Sequence, residues 1–312
     1  MKGRLFHLGK LVISAGLLAL LFHLFDFRQS LAALQGMDWR LFIGAFLLFQ
    51  VGLALRSVRW RFLLDAVQVP VPLHRLFYLY YVGTLFNTFL PSGFGGDAVK
   101  MYELARYSRR GSESIGTVFV DRLSGIVVLF ILGLCAWPFA YQSLPRAEAL
   151  FLLLVSVGGL LATWALFRQR WAERVLSIIP AGKIREKFLS LYDAVHTCGM
   201  GALWKALAVS VVFDACLFFV NYVIALALNV HIKFLYFVIF MPILSLSMLL
   251  PSVGALGTRE GAYVLLFGMA GVPEPIAIAM SLSFYLINVF TGAIGGILYM
   301  FDALWGLRKN AH

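Results

Sequence analysis

The sequence predicts an all-α polytopic membrane protein with about six transmembrane helices and two re-entrant helical hairpins in an inverted-topology repeat. Three observations predict this fold class. The 312-residue chain is 61% hydrophobic and only 13% charged, whereas soluble chains carry about 25% charged residues. Long apolar runs recur along it, and most Lys and Arg residues lie in short segments between these runs. We expect one transmembrane domain over residues 1–312.

Six apolar runs are long enough to cross the hydrocarbon core of a membrane, which takes about 17–25 helical residues. They lie at residues 8–25, 39–58, 115–140, 149–167, 203–228 and 276–301. The first run follows three basic residues and also resembles a secretory signal peptide. We favour a retained first helix, because no soluble domain follows it.

Two further apolar stretches, residues 73–90 and 234–250, each lead into Pro, Gly and charged residues instead of a second full span. We predict a re-entrant hairpin over residues 73–107 that enters from the cytoplasm, and one over residues 234–270 that enters from the opposite side. This topology places 21 of the 26 Lys and Arg residues in the cytoplasm, in accord with the positive-inside rule. Both chain ends are then cytoplasmic, and we expect a bacterial inner membrane.

The two hairpins divide the chain into repeats of opposite orientation, residues 39–140 and 203–301. Their tips resemble each other at an offset of 160 residues: Leu90-Pro91-Ser92-Gly93 corresponds to Leu250-Pro251-Ser252-Val253. Between the repeats, residues 168–202 alternate basic and apolar positions, which predicts a cytoplasmic amphipathic segment at the membrane interface. This segment is also a candidate contact for a partner protein.

The predicted hairpin tips carry the residues that we interpret as a binding site for a lipid phosphate. Irregular backbone is tolerated at membrane depth only where it is buried in protein or lines a wet cavity, so the tips imply a cavity. We expect each break to begin a short helix, near Asp97 in the first hairpin and near Thr258 in the second. The first turn of such a helix presents unpaired N–H groups and a partial positive charge, which suits a phosphate. The candidate phosphate-binding residues are Gly93, Gly95, Gly96, Asp97, Lys100, Gly257, Thr258, Arg259 and Glu260.

Structural roles for the same charges are open alternatives. Asp97 is also a suitable N-cap for its helix, and Arg259 with Glu260 also fits an ion pair that only holds the hairpin closed. Because ionisable groups in a bilayer cost at least about 2.5–3.5 kcal/mol on insertion scales, we favour the functional interpretation.

Other charges near membrane depth are supporting or coupling candidates. Asp121 and Arg122 fit a ligand contact and a balance of charge on the first hairpin equally well. Asp214, inside an apolar run, is the better candidate for proton coupling. We interpret Arg56, Arg59 and Arg61, with Trp60, as headgroup anchors at the end of a helix.

The sequence lacks the motifs of common enzyme classes. It has no Gly-x-Ser-x-Gly, Walker loop, His-Glu-x-x-His or Cys-x-x-Cys pattern, and its 6 histidines are scattered. We therefore predict that the protein is not an enzyme and has no cofactor and no metal site. The net charge of +11 does not indicate nucleic-acid binding, because no soluble basic face with interleaved aromatic residues is visible. Anionic membrane lipids are the expected partners.

Four motifs occur in order along the chain: Arg59-Trp60-Arg61, the segment 90–97, Asp121-Arg122-Leu123-Ser124-Gly125, and the segment 256–261. Together they resemble the flippase-like transmembrane region of lysylphosphatidylglycerol synthases, whose stand-alone relatives are linked to cardiolipin, hopanoid and archaeal glycolipid pathways. The resemblance implies movement of an amphiphilic lipid between leaflets, in the fused synthases an aminoacylated phosphatidylglycerol. Because we expect no aminoacyl-transferase domain here, the resemblance does not identify which lipid is moved. Family tips often begin Pro-Gly-Gly, and we expect Val253 to narrow the second tip.

We hypothesise a lipid flippase or scramblase that moves an anionic or phosphate-bearing phospholipid, polyprenyl lipid or glycolipid between leaflets, as inverted-repeat transporters place their sites between repeats. Without an ATP site, the movement would be downhill or driven by an ion gradient. One rival hypothesis is a non-transporting scaffold that recruits a lipid-modifying enzyme or glycosyltransferase through residues 168–187. Another is a small-solute transporter or channel.

Overall fold

The structure, a computed structural model, describes residues 32, 34–89, 95–108, 111–143, 145–167, 183–247 and 258–309. Regular structure in these ranges is entirely helical, which confirms the predicted all-α class. The helices are α1 (Trp39–Ala66), α2 (Leu73–Phe89), α3 (Gly95–Ser108), α4 (Gly111–Ser143), α5 (Arg146–Phe167), α6 (Lys183–Ala227), α7 (Phe234–Ser247), α8 (Thr258–Met269) and α9 (Glu274–Lys309).

Five of these helices are long and apolar enough to cross a membrane. The candidate spans are Trp39–Ala66, Ile115–Gln142, Arg146–Ala165, His196–Ala227 and Glu274–Asp302. They coincide with five of the six predicted spans, and the other, residues 8–25, lies outside the described residues. Large apolar side chains such as Leu154 and Phe301 are 70% and 67% exposed on them. Lipid tails are as apolar as leucine, so such side chains need no protein partner.

Each predicted hairpin contains two short helices. The first comprises α2 and α3, and the second comprises α7 and α8. The connecting tips, residues 90–94 and 248–257, lie outside the described residues. α8 begins at Thr258 as expected, and α3 begins at Gly95, two residues before the expected Asp97. The depth at which the hairpins lie in a membrane stays a prediction.

The chain repeats one helix-ending corner at a spacing of 161 residues. Gln68 after α1 and Asn229 after α6 both have left-handed backbone, with φ of 56° and 59°, which is uncommon for residues other than glycine. In each corner the following valine N–H, of Val69 or Val230, donates at 2.9 Å to the carbonyl five residues earlier. This is the hydrogen bond of a Schellman motif, which satisfies a carbonyl left open at a helix end.

Helix ends and burial follow the same spacing. α1 and α6 end at Ala66 and Ala227, and the next helices begin at Leu73 and Phe234. The equivalent pairs Leu63 and Ile224, Leu64 and Ala225, Leu76 and Phe237, and Leu79 and Phe240 are all buried. One helix-ending corner and the burial of the residues around it thus recur at this spacing, and the repeat of residues 39–140 in residues 203–301 stays a prediction. The opposite orientation of its two halves in a membrane stays a prediction.

A kink at Gly199, with φ 71° and ψ 158°, divides α6. The part after it matches the 28 residues of α1, and the part before it belongs to the predicted amphipathic segment 168–202, of which residues 168–182 lie outside the described ranges. Next to the kink, Cys198 belongs to a small apolar cluster. Its buried members are Leu63, Val120, Cys198, Leu203 and Ala206. This cluster joins α6 to α1 and α4 beside the kink.

Packing divides the chain into two units, which are described separately. Unit 1 consists of the described parts of Met1–Val51, Tyr78–Val99 and Cys216–His312. Unit 2 consists of the described parts of Gly52–Phe77 and Lys100–Ala215.

Glycines let α2 approach two other helices of unit 1 at backbone distance. A Cβ atom added to Gly96 of α3 would overlap the carbonyl of Gly83, and one added to Gly295 of α9 would overlap the carbonyl of Tyr81. The Gly96 N–H also donates to Asn87 Oδ1 at 2.8 Å. Because only glycine leaves this space, both positions fix how closely α2 packs.

Replacing Gly96 with Ala should lower the stability of the detergent-solubilised protein, because the methyl group would force α2 and α3 apart. We expect a loss of about 1–3 kcal/mol, measured as a lower thermal unfolding midpoint. Gly44→Ala is the control, since no atom lies within 4 Å of a Cβ there and Ala favours helix over Gly. Equal midpoints for the two variants would contradict the close approach.

Candidate functional site

Unit 2 contains a buried ion pair between α1 and α4. Arg59 Nε donates to Asp121 Oδ1 at 2.7 Å, and Arg59 Nη1 donates to Ser210 Oγ of α6 at 2.8 Å. Arg59 and Asp121 are 2% and 0% exposed. Breaking such a pair is costly, because the remaining charge stays buried without a partner. The guanidinium group thus links three helices of unit 2.

The Asp121–Gly125 motif shapes the acceptor side of this pair. Ser124 Oγ donates to the backbone carbonyl of Asp121 at 2.8 Å. Gly125 lies one helical turn after Asp121, and a Cβ atom there would be 3.0 Å from Arg59 Nη1. A larger residue at this position would press on the guanidinium group. The motif therefore supplies both the carboxylate and the space for its partner.

Trp60 and Lys100 extend the buried group. Trp60 is fully buried, and its Nε1 donates to Thr117 Oγ1 of α4 at 3.2 Å. The ammonium of Lys100, itself 3% exposed, lies 5.6 Å from the Trp60 ring and acts electrostatically on Asp121. A cation over an indole ring gains a favourable interaction that partly offsets its loss of water.

The sequence-based interpretation of Arg59 and Trp60 as headgroup anchors is wrong. α1 continues beyond residue 58 to Ala66, so both side chains lie within the helix and not at its end. Arg61 differs, since it is exposed and pairs with Asp65 at 3.7 Å. Residues two apart on a helix point about 200° apart, which explains why Arg59 is buried while Arg61 faces outward.

In unit 1, α8 begins with a buried cluster of charges. Arg259 Nε donates to Ser281 Oγ of α9 at 2.8 Å, and its Nη2 donates to Glu260 Oε1 at 2.8 Å. Ser281 Oγ donates to the same carboxylate oxygen at 2.9 Å. Arg259 and Glu260 are each 3% exposed, and the guanidinium carbon lies 5.2 Å from the Tyr285 ring. Two adjacent residues of α8 thus converge on α9.

The Arg259–Glu260 pair of α8 is formally neutral, but Nη1 of Arg259, with its two N–H groups, has no acceptor among the described residues. Nε and Nη2 are both engaged. Arg259 also lies in the first turn of α8, where backbone N–H groups lack intrahelical partners and carry the positive end of the helix dipole. The arrangement is therefore chemically able to bind an anionic group.

Tyr263 fixes the following turn of α8. Its hydroxyl donates to Asn221 Oδ1 of α6 at 2.5 Å. Its ring centroid lies 5.3 Å from that of Phe267, which packs against Phe237 and Phe240 of α7. Aromatic packing and a buried hydrogen bond thus hold the start of α8 in place, so the charge cluster is presented from a rigid element.

The structure divides the predicted site residues between the two units. Unit 1 holds Gly95, Gly96 and Asp97 at the start of α3, all buried, and Thr258, Arg259 and Glu260 at the start of α8. Unit 2 holds buried Lys100, Asp121 and Asp214 and half-buried Arg122. Gly93 and Gly257 lie outside the described residues. The structure joins Arg259 and Glu260 in an ion pair. That the two hairpin tips meet stays a prediction.

Sequence reasoning missed the uncharged members of both clusters. Ser210, Asn221 and Ser281 are buried and hold charged or aromatic partners. Small polar residues occur in membrane helices for many reasons, so their type alone predicts little. The available signal was that Ser210 and Asp214 stand four residues apart, and hence on one face of a helix.

Comparison with known proteins shows which family and which relatives this chain is similar to. A family model described as the lysylphosphatidylglycerol synthase TM region matches residues 8–296. A UPF0104 membrane protein of Methanothermobacter thermautotrophicus is 31% identical over 145 residues, which cover 46% of this chain and 36% of that protein. A UPF0104 membrane protein of Pyrococcus horikoshii is 22% identical over 320 residues, covering 93% of this chain and 95% of that protein. No solved structure matches the chain significantly.

Arg59→Ala should destabilise the protein strongly, because it leaves the Asp121 carboxylate buried without its main partner. We expect a loss of about 3–5 kcal/mol, measured by chemical or thermal unfolding in detergent. Arg61→Ala, which removes an exposed pair, should cost less than about 1 kcal/mol. Adding Asp121→Ala to Arg59→Ala should recover part of the loss. Equal losses of stability in Arg59→Ala and Arg61→Ala would contradict a buried pair between Arg59 and Asp121.

Tyr263→Phe should lower stability by about 1–3 kcal/mol, because it leaves the buried Asn221 oxygen without its donor. Tyr141→Phe on α4 is the matched control, since Tyr141 is 48% exposed and its hydroxyl can bond to water or headgroups. The measurement is the unfolding midpoint of the two variants side by side. A Tyr263→Phe midpoint equal to that of the control would show that the hydroxyl contributes nothing.

Proposed function

Because the chain belongs to the lysylphosphatidylglycerol synthase TM region family, as its four motifs predicted, we propose that this integral membrane protein moves a phosphate-bearing lipid between membrane leaflets. The observation that carries the proposal is the buried group of Arg259, Glu260 and Ser281 at the first turn of α8. It supplies a guanidinium donor and a helix N-terminus in a strongly apolar chain.

Charge balance in this group favours a headgroup with one negative charge. Arg259 and Glu260 cancel, and a helix N-terminus contributes about half a positive charge. A phosphodiester, the linkage in common phospholipids, carries a single negative charge that its two non-bridging oxygens share, and both of these oxygens accept hydrogen bonds. It would accept from Nη1 of Arg259 and from the first backbone N–H groups of α8. Glu260 holds the guanidinium in place, and the pair of Arg259 and Glu260 is neutral when no lipid is bound.

A lipid, rather than a soluble anion, fits the surroundings of the group. The five candidate spans carry exposed apolar side chains, so acyl or prenyl tails can remain in hydrocarbon while only the headgroup needs a polar path. Such a path lowers the barrier to crossing without forming or breaking a covalent bond. In this proposal the first hairpin tip, Gly93 to Asp97, supplies the facing wall of the headgroup path.

The membrane and its orientation are part of the proposal. The bias of Lys and Arg toward one set of short segments supports cytoplasmic N- and C-termini in a bacterial inner membrane. Transport without an ATP site then depends on the lipid gradient or on an ion gradient.

The test is transbilayer movement of fluorescent phosphatidylglycerol in liposomes that contain the purified protein. An external quencher reaches only the label in the outer leaflet. With wild-type protein, label from the inner leaflet should become accessible to the quencher faster than in empty liposomes. Arg259→Gln should lower this rate at least about tenfold, the effect of losing about 1.4 kcal/mol of headgroup stabilisation. Arg40→Gln, a change at an exposed arginine of unit 1, should leave the rate unchanged.

Folding must be separated from binding, since Arg259→Gln leaves Glu260 buried without its charge partner. The double variant Arg259→Gln with Glu260→Gln removes both charges and keeps hydrogen-bonding groups, so it should retain the wild-type unfolding midpoint and still lose lipid movement. Wild-type liposomes no faster than empty ones, or a folded double variant with full activity, would overturn the proposal. Ion currents across the liposomes without lipid movement would instead favour a solute channel.

A further inference from the structure

Asp214 is a buried acid of unit 2 that takes no part in the ion pair between Arg59 and Asp121. It lies in the apolar part of α6 and is 1% exposed. Among the described residues, none makes a hydrogen bond to its Oδ2 atom. An ionised carboxylate without such a bond is strongly destabilised away from water, and buried acids in that situation take up a proton instead.

Two arginines of α1 provide the positive charge that faces Asp214. Arg56 and Arg59 both act on its carboxyl group electrostatically. Their guanidinium carbons lie 5.4 and 5.9 Å from the ring of Phe213, the residue before Asp214. Both cations are thus held beside this turn of α6.

The other helices of unit 2 contribute one acid and one further cation. Asp121 of α4 accepts from Arg59 at 2.7 Å, and Lys100 of α3 acts electrostatically on Asp121. Arg59 therefore lies within electrostatic reach of two acids and donates to only one of them. Ser210, one turn before Asp214, accepts the second hydrogen bond of Arg59 at 2.8 Å.

Two influences on Asp214 oppose each other. Burial favours the neutral form of a carboxyl group, and nearby cations favour the charged form. While Arg59 stays with Asp121, the Oδ2 atom of Asp214 receives no hydrogen bond from a described residue. If Arg59 turns toward Asp214, the charged form of Asp214 gains a direct partner and Asp121 loses its own. The proton on Asp214 and the position of Arg59 are therefore linked.

We propose that Asp214 is a proton-binding site and that Arg59 exchanges between Asp121 and Asp214 as the proton leaves and returns. The Asp214 carboxylate takes one proton from water when Arg59 moves to Asp121, and releases it to water when Arg59 moves back. Resting on the proposed lipid movement, this exchange is the step that links the movement to a proton gradient. Intramembrane acids of this kind form proton relays in other transporters.

A proton suits the site better than a metal cation. Arg56 and Arg59 repel any cation that keeps its charge beside Asp214, whereas a bound proton removes the charge of the carboxylate. A metal ion also needs several oxygen ligands, and Ser210 Oγ already accepts from Arg59 while donating to the Ala206 carbonyl at 2.9 Å.

An apolar layer lies next to these groups along the helices. Leu63 lies one turn after Arg59 on α1, Val120 precedes Asp121, and Ala206 lies one turn before Ser210. All three belong to the buried apolar cluster beside the Gly199 kink. On this side of the acids the layer separates them from water.

Infrared spectroscopy of the wild-type protein tests the proton site without any lipid assay. Stepwise acidification should produce, apart from the bands of the exposed acids, a separate carbonyl band of a buried protonated carboxylic acid. The band should be missing in Asp214→Asn, present in the control Asp65→Asn, which changes an exposed acid, and shifted in Asp214→Glu. If Asp214→Asn proves unstable, the shift in Asp214→Glu identifies the residue. An unchanged band in both Asp214 variants would overturn the proposal.

Lipid movement measured over a pH series tests the coupling. In wild-type liposomes the rate should vary with pH by up to about tenfold per unit, the limit for one proton. Asp214→Asn imitates the neutral acid, so its rate should match the low-pH wild-type rate at every pH. A wild-type slope that persists in Asp214→Asn would overturn the coupling while leaving the proposed function intact. Absent lipid movement with a band that depends on Asp214 would overturn the proposed function and leave the proton site standing.

Discussion

Hydrocarbon offers no hydrogen-bond partner, and this constraint governs the arrangement of the buried polar groups in the described membrane-length helices. Helices satisfy their own backbone, and hydroxyl groups within them bond back to the carbonyl four residues earlier. This bond is made by Ser57, Thr84, Thr88, Thr163, Ser210, Ser245, Ser283 and Thr291. Charged groups have no such local solution, because their partners must come from another helix or a neighbouring turn. The charged clusters are therefore where the fold is most tightly specified.

The same constraint explains how much the sequence revealed. Composition and apolar runs predicted the all-α class and located five spans, since a membrane imposes both length and polarity on a helix. The start of α8 at Thr258 was predicted because glycines and a proline interrupt the apolar run before it. These features depend on residues close together in sequence. Family membership followed from motifs, and the structure gives those motifs physical roles.

Other features depend on contacts that no local pattern encodes. Arg59 was misinterpreted because the end of α1 was placed near residue 58, whereas the Schellman corner at Gln68 sets the true end. The end of α1 had one usable signal, since the corner at Gln68 recurs at Asn229 after α6. That Arg59 binds Asp121, and Arg259 reaches Ser281, depends on how distant helices pack. One sequence without that packing leaves several partners equally possible for each charge.

The two charged clusters differ in how completely their charges cancel, and this difference separates their proposed roles. Among the described residues of the α8 cluster, one arginine meets one carboxylate, and the first turn of the helix adds a partial positive charge that an added anion balances. In the Arg59 cluster three cations, Arg56, Arg59 and Lys100, lie near two acids, but the hydrogen bond of Arg59 goes to Asp121 and not to Asp214, so in our proposal Asp214 either takes up a proton or competes for Arg59. In the proposals above, the first cluster binds a phosphate and the second binds a proton. A protein that moves lipid along a proton gradient needs both responses, and neither cluster provides the other's chemistry.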